Sequence, residues 1–147
     1  MPLTGEYEPS PVDWVNDQVA RYEATDGKEG NTYLDLPVVI MSNLGAKSGR
    51  VRKNPVMRIE HEGTYAVAAS NGGGDTHPGW YFNLLANPRV EIQDGPVKRG
   101  YIARELQGEE KQLWWTRADA AYPYFADYRA GTAREIPLFV LEPADGE

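Results

Sequence analysis

The chain of 147 residues contains no cysteine. That absence removes disulfides, thiolate zinc sites and a cysteine nucleophile together, and it fits a reducing cytoplasm. Histidine is scarce. His61 and His77 are the only two, their spacing matches no ligand pattern, and no metal site is expected. No apolar run reaches the roughly 20 residues of a membrane-crossing helix. The opening stretch, MPLTGEYEPSPVDW, is polar and acidic and lacks the character of a secretory signal. Positive charge is also short, with 15 Lys and Arg against 22 Asp and Glu and a net charge of −7. A chain of that sign lacks the broad basic face that nucleic-acid binding needs.

What is present reads as one globular domain, with 41% hydrophobic and 25% charged residues. Residues 1–30 read as a loose N-terminal tail followed by a helix. Asp13 is placed to cap that helix, which runs to about Tyr22 with Val15, Val19 and Tyr22 on one stripe. Residues 31–147 form the main body. Leu36–Ser42 is a short β-branched run, the pattern of a buried strand. Lys53–Glu60 and Thr64–Ser70 read as a hairpin around His61–Gly63, and RVEIQ and VKRGYIARELQ as a second hairpin around Asp94-Gly95. WYFNLLAN is a short helix stopped by Pro88, and GEEKQLWWTRADAAY a longer one, with one of Trp114 and Trp115 buried and the other partly exposed. IPLFVLEP is a final strand. About six strands and three helices, joined by hairpins, imply a mainly β fold. Its sheet is mostly antiparallel and closed into a small barrel, with helices packed outside.

Three segments could carry chemistry. The first, SNLGAKSGRVRKNP, places Lys47, Arg50, Arg52 and Lys53 within seven residues of an otherwise acidic chain. Its glycines would let backbone amides converge on an anion, and its arginines carry planar forks suited to phosphate or carboxylate. It is not a Walker A loop, because Gly-Lys-Ser is not contiguous. The bland alternative is a solvated turn. The second, ASNGGGDTHPGWYFN, has side-chain-free backbone able to lie against a flat ring, followed by a helix start. Ser70, Asp75 and His77 share this loop, but three neighbours in a glycine-rich turn do not make a triad. The third, AYPYFADYR, places Tyr122, Phe125 and Tyr128 at i, i+3 and i+6, on one side of a helical turn. They either seal a core edge or wall a pocket for a planar ligand.

These segments together resemble the deazaflavin-dependent nitroreductase family of actinobacteria. The resemblance rests on Gly45, Lys47, Ser48, Gly49, Arg52 and Pro55, then on Ala69, Ser70, Gly72, Gly73, Pro78, Trp80, Tyr81, Asn83 and Asn87-Pro88. It extends to Tyr122, Pro123, Tyr128 and Ile136-Pro137. The chain departs from the family pattern at Asn43, Ala46, Asn71 and Phe125, where Thr, Arg, Lys and Tyr respectively are frequent.

The resemblance implies a split β-barrel that uses coenzyme F420, a flat three-ring deazaflavin carrying a phosphate and an oligoglutamate tail. It implies hydride transfer from the reduced coenzyme to a quinone or nitro compound. Lys47, Ser48, Gly49, Arg52 and Lys53 would then hold the anionic half, with Asn54, Pro55, Val56 and Met57 following along the strand. Ala68, Ala69, Ser70 and Asn71 would line the ring with Gly79, Trp80, Tyr81, Asn83 and Phe125. Tyr122, Tyr128 and Ser70 are the candidates to orient the acceptor or donate a proton. FMN is the alternative cofactor, and a non-catalytic coenzyme-binding module the alternative role. A quinone substrate would bring the protein to a membrane surface, with Trp14 as a contact. Monomer and homodimer both remain open.

Overall fold

The second strand in chain order, Leu36–Leu44, organises the molecule, because it is buried on both faces. Its alternate side chains enter different clusters, as the two-residue period of a strand requires. Val39 and Met41 point into the barrel interior with Val67, Val90, Ile92 and Leu141. Val38 and Ile40 point outward and meet Val19 and Tyr22 of the first helix. Each such side chain contributes about 1.5–3 kcal/mol when fully buried. The continuous apolar run in the sequence thus reflects two covered faces.

The computed structural model describes residues 3, 5–74 and 76–144. Its elements, in chain order, are α1 (Asp13–Ala24), β1 (Thr32–Tyr33), β2 (Leu36–Leu44), β3 (Val51–Met57), β4 (Ile59–His61), β5 (Thr64–Ala68), α2 (Gly79–Ala86), β6 (Arg89–Asp94), β7 (Val97–Glu105), α3 (Gly108–Ala121), α4 (Tyr124–Ala130) and β8 (Leu138–Pro143). The hydrogen-bonded path runs β1-β2-β6-β7-β8-β5-β4, with β3 also paired to β2. Every strand pair in it is antiparallel. β3 and β4 are one run of chain interrupted only at Arg58. β3 pairs with β2 and β4 with β5, so this run joins the two ends of the sheet into a barrel. Pro55 sits within β3 opposite Ile40, on a strand that among the described residues has β2 as its ladder partner on one side, where a missing N–H is tolerated.

Helices cover the outside. α3 and α4 pack Trp114, Trp115, Ala118 and Phe125 on the outward side chains of β5 and β8, including Ala66, Leu138 and Val140. Both tryptophans are buried, which corrects the expectation that one would be partly exposed. The second side of α3 is closed by α4, whose Phe125 ring lies 5.9 Å from that of Trp115 and whose Arg129 guanidinium lies 4.1 Å over it.

Local signals were otherwise read with small displacements. Asp13 does not cap α1. Val12 holds the cap position without a side-chain bond, and Asp13 is the first helical residue, where its charge suits the helix dipole. The helix continues to Ala24. The second hairpin turns at Gly95-Pro96, because Asp94 still pairs with Val97. The β4–β5 turn places Glu62 at φ 52° and Gly63 at φ 83°, the two positive angles of a type I′ hairpin. The aromatic segment forms a fourth α-helix, α4.

Residues 6–8, read from the sequence as loose tail, lie beside the start of β3. Val51 donates its N–H to the Glu6 carbonyl, and Glu8 donates to the Val51 carbonyl, both at 2.9 Å. No local sequence signal announces this pairing, because it is made through the backbone.

Candidate functional site

A cavity of about 1180 Å³ opens between the basic loop, β3, the glycine-rich loop, α1, α2 and the α3–α4 corner. Most of the residues singled out from the sequence meet on its wall. Lys47, Ser48, Arg52, Asn54, Pro55, Val56 and Met57 form one side. Ala68, Ser70, Asn71, Gly79, Trp80 and Asn83 form another, and Tyr122, Phe125 and Tyr128 a third. Gly49, Lys53, Ala69 and Tyr81 are not among its lining residues. The Lys53 ammonium bonds Glu23 of α1 and lies over the Tyr7 ring. Tyr81 instead packs between His77 and Phe139, on the core side of α2.

The basic loop is a tight turn whose amides are largely engaged within the protein. Gly45 N–H donates to the Arg50 carbonyl, Gly49 N–H to the Gly45 carbonyl, and Arg50 N–H to Ser48 Oγ. A Cβ at Gly45 would fall 2.6 Å from Ser48 Oγ and push that hydroxyl aside. These glycines therefore shape the turn; they do not aim free amides at an anion. The charge presented to the cavity comes from side chains. Three of the four cations are already paired: Arg50 with Glu6 at 3.9 Å, Arg52 with Glu8 at 3.5 Å, and Lys53 with Glu23. Among the described residues, Lys47 has no ion-pair partner.

A buried amide chain ties this loop to the barrel. Asn83 Nδ2 donates to Asn43 Oδ1 at 2.8 Å, Asn43 Nδ2 to Asn54 Oδ1 at 3.3 Å, and Ala46 N–H to Asn83 Oδ1 at 2.9 Å. Asn43 is fully buried. A buried polar group needs such partners, and here they lock α2, β2, β3 and the loop in one arrangement.

The glycine-rich loop is held by a residue that sequence reasoning missed. The Arg134 guanidinium donates to the carbonyls of Ala69, Ser70 and Gly74, and to Nδ1 of His77. A guanidinium can only donate, so His77 accepts through Nδ1. Arg134 lies about 60 residues from its partners, and no local pattern announces it. Gly73 has φ 83°, and a Cβ there would fall 2.8 Å from the Tyr128 ring. The bare backbone does lie against a flat ring, and that ring belongs to the protein. Asp75, the middle member of the rejected triad, lies outside the described residues.

Tyr122 and Phe125 are buried while Tyr128 is half-buried, and their rings form a cluster with centroids 4.7–6.4 Å apart. The Tyr122 and Tyr128 hydroxyls are 2.7 Å apart. Burial, then the Tyr128 hydroxyl beside it, pushes the Tyr122 phenol above its ordinary value. Across the cavity stands Trp14, 54% exposed, stacked on Tyr33 at 5.9 Å. The first turn of α2 opens onto the same space. Pro78 offers no side-chain cap, and a Cβ at Gly79 would meet nothing within 4 Å.

The cavity wall thus combines the cationic side chains of Lys47 and Arg52 with flat, hydroxyl-bearing aromatic ones. The chain matches known proteins along most of its length. The family model for F420H(2)-dependent quinone reductases matches residues 14–143. An F420H(2)-dependent quinone reductase of Mycobacterium tuberculosis is 32% identical over 126 residues, covering 83% of this chain and 85% of that protein. A solved F420-H2 dependent reductase is 50% identical with a TM-score of 0.69, over 72% of this chain and 94% of the other. A structure described as a domain-swapped dimer is 47% identical with a TM-score of 0.72, over 90% and 100%. The chain is therefore a split β-barrel protein that belongs to the F420H(2)-dependent quinone reductase family, a family of oxidoreductase enzymes.

Proposed function

We propose that this chain binds coenzyme F420 in the slot and reduces a quinone there. The observation that carries the reading is the meeting, in one cavity, of Lys47, Ser48 and Arg52 with the Tyr122–Tyr128 hydroxyl pair. The residues fit a ligand that is flat at one end and polyanionic at the other. Among the described residues the Lys47 ammonium has no ion-pair partner, and it lines the cavity. Gly79 leaves open space beside Trp80, where a side chain would obstruct a ring. Lys47, Ser48 and Arg52 would hold the phosphate and carboxylates. Val56, Ala68, Ser70, Gly79 and Trp80 would bound the ring. When bound, the reduced coenzyme supplies the hydride.

The chain's own groups then have three tasks. The barrel wall and α2 hold the reacting partners in register, which is worth far more than any single acid or base. The aromatic cluster excludes water. A quinone that takes up a hydride also takes up one proton to become a quinol, and the Tyr122–Tyr128 pair, which lines the cavity, would deliver it. Ser70, on the same wall, is the second candidate to orient the acceptor.

A quinone with a lipid tail would approach through the side where Val12, Trp14, Tyr33 and Phe82 stand exposed around the slot. A net charge of −7 disfavours anionic headgroups, so the proposed membrane contact is apolar. No helix among the described residues is long and apolar enough to cross a membrane. Nitro compounds are proposed as weaker acceptors, since Phe125 lacks a hydroxyl. FMN is the rival cofactor, though its single phosphate would use only part of the cationic end.

The test is a fluorescence titration with F420 and, in parallel, with FMN, followed by stopped-flow oxidation of reduced F420 with a soluble quinone. Tight F420 binding and quinone-dependent turnover are expected. Preferential FMN binding would overturn the cofactor assignment, and binding without turnover would leave a coenzyme-binding module.

A further inference from the structure

The segment Gly5–Glu8 runs beside the free edge of β3 and is tied to Val51 by two backbone hydrogen bonds. It carries two carboxylates, and each faces an arginine of the basic loop. Glu6 meets Arg50 at the exposed surface. Glu8 meets Arg52, with both side chains about two-thirds buried, and both residues line the slot. Lys47, on the same wall, has no such partner among the described residues. The anion-binding end thus holds one vacant cation and one that is already neutralised by the protein itself.

From this geometry we infer that Glu8 is a specificity-determining residue, a resident carboxylate that any ligand anion must displace to reach Arg52. The inference rests on the proposed coenzyme site and deepens it. A ligand whose negative charge reaches only Lys47 leaves the Glu8–Arg52 pair in place. A ligand with a longer anionic arm exchanges its own carboxylate or phosphate for that of Glu8, and its gain is reduced by the pair it breaks. The strap's backbone bonds to Val51 keep Glu8 close, so the competition is intramolecular and does not dilute away. Glu8 thereby sets how strongly the site rewards an extended polyanion. Its position beside β3 also separates two roles that oppose each other in sign. If Glu8 merely orients Arg52 for the ligand, removing its charge weakens binding; if it competes, removing its charge tightens binding.

The experiment measures coenzyme affinity for the wild type, Glu8→Gln and Glu6→Gln by fluorescence titration. Each variant removes one negative charge, so Glu6→Gln controls for the general field. Glu8→Gln is expected to tighten F420 binding about two- to fivefold, the scale of a partly exposed ion pair, with a much smaller change for Glu6→Gln. A truncated coenzyme lacking the phosphate and glutamates should gain nothing from Glu8→Gln. In an Arg52→Gln background the gain should vanish, because the two residues act as a pair. Unchanged or weaker F420 binding by Glu8→Gln overturns the inference while leaving the coenzyme assignment standing. So does an equal gain for the truncated coenzyme. If the wild type fails to bind F420, the proposed function falls and inorganic pyrophosphate becomes the probe, followed by amide NMR shifts at Gly49 and Val51. Tighter pyrophosphate binding by Glu8→Gln then supports the inference, and unchanged or weaker binding overturns it.

Discussion

The hydroxyls of Tyr122 and Tyr128 lie 2.7 Å apart, and one of them must donate to the other. Only one proton of the pair is then available to a ligand in the slot. Tyr128 is the more exposed member, so it is the natural contact, with Tyr122 behind it. Tyr128→Phe and Tyr122→Phe are expected to lower turnover about ten- to a hundredfold, corresponding to roughly 1–3 kcal/mol, with coenzyme affinity nearly unchanged. Steady-state rates alongside a binding titration check this. Wild-type turnover in both variants would return the pair to packing.

The same pair has a consequence for pH. The Tyr122 phenol is raised above its ordinary 10.0 by burial and by the Tyr128 hydroxyl. A raised value keeps the protonated, donating form present further into alkali. Tyr122 is therefore expected to contribute no loss of rate between about pH 6 and 9. An alkaline fall in that window that is absent from Tyr122→Phe would contradict the assignment.

Lys47 and Arg52 are expected to differ, although the sequence presents them as equivalents. Lys47→Ala removes an unpaired cation and should weaken coenzyme binding by about 1.5–3 kcal/mol. Arg52→Ala should cost less, because Arg52 already carries Glu8. Both losses should appear in binding more than in turnover at saturation. Both should shrink as salt rises toward 0.5 M, where screening is stronger than at the roughly 10 Å Debye length of 0.1 M. Normal binding by Lys47→Ala at low salt would make the loop a solvated turn.

Arg134 holds Ala69, Ser70, Gly74 and His77 with one planar fork. Arg134→Ala should release the loop, lowering melting temperature by roughly 3–12 °C for a loss of about 1.5–3 kcal/mol. Amide exchange at Gly73 and Gly74 should quicken. Arg134→Lys should recover only part of the loss, since a single ammonium cannot span the same acceptors. Full recovery would show that charge alone, and not the fork, secures the loop.

Phe125 is packed against Trp115 and Tyr122 and still borders the slot. Bicyclic nitroimidazoles are expected to be poor substrates beside a quinone, and Phe125→Tyr should raise their reduction. Strong nitroimidazole turnover by the unaltered chain would show that this hydroxyl is irrelevant.

Features with a local cause were legible in the sequence. The β-branched run of β2, the Glu62-Gly63 turn and the Tyr122–Phe125–Tyr128 spacing each carry their signal within a few residues. What escaped depends on distance along the chain. Arg134 reaches back to the glycine-rich loop, Asn43 joins strands and helix through amides, and residues 6–8 are tied to Val51 through the backbone. One of Trp114 and Trp115 was expected to be partly exposed, but α4, a separate short helix, covers Trp115. Lys53 looked like its neighbours in the basic loop, but its ammonium leaves toward Glu23, which only the packing of α1 on the barrel reveals.

The strand order has a consequence for synthesis on the ribosome. β8, the last strand in chain order, pairs with both β5 and β7 and so stands inside the sheet. Until Leu138–Pro143 emerge from the exit tunnel, β5 and β7 each present an unsatisfied edge, and the apolar side chains of Phe139 and Leu141 are missing from the interior. Exposed edges of that kind invite pairing with other nascent chains. Closure therefore waits for Leu138–Pro143. A ribosome stalled shortly before residue 138 would hold an open sheet with two unpaired edges.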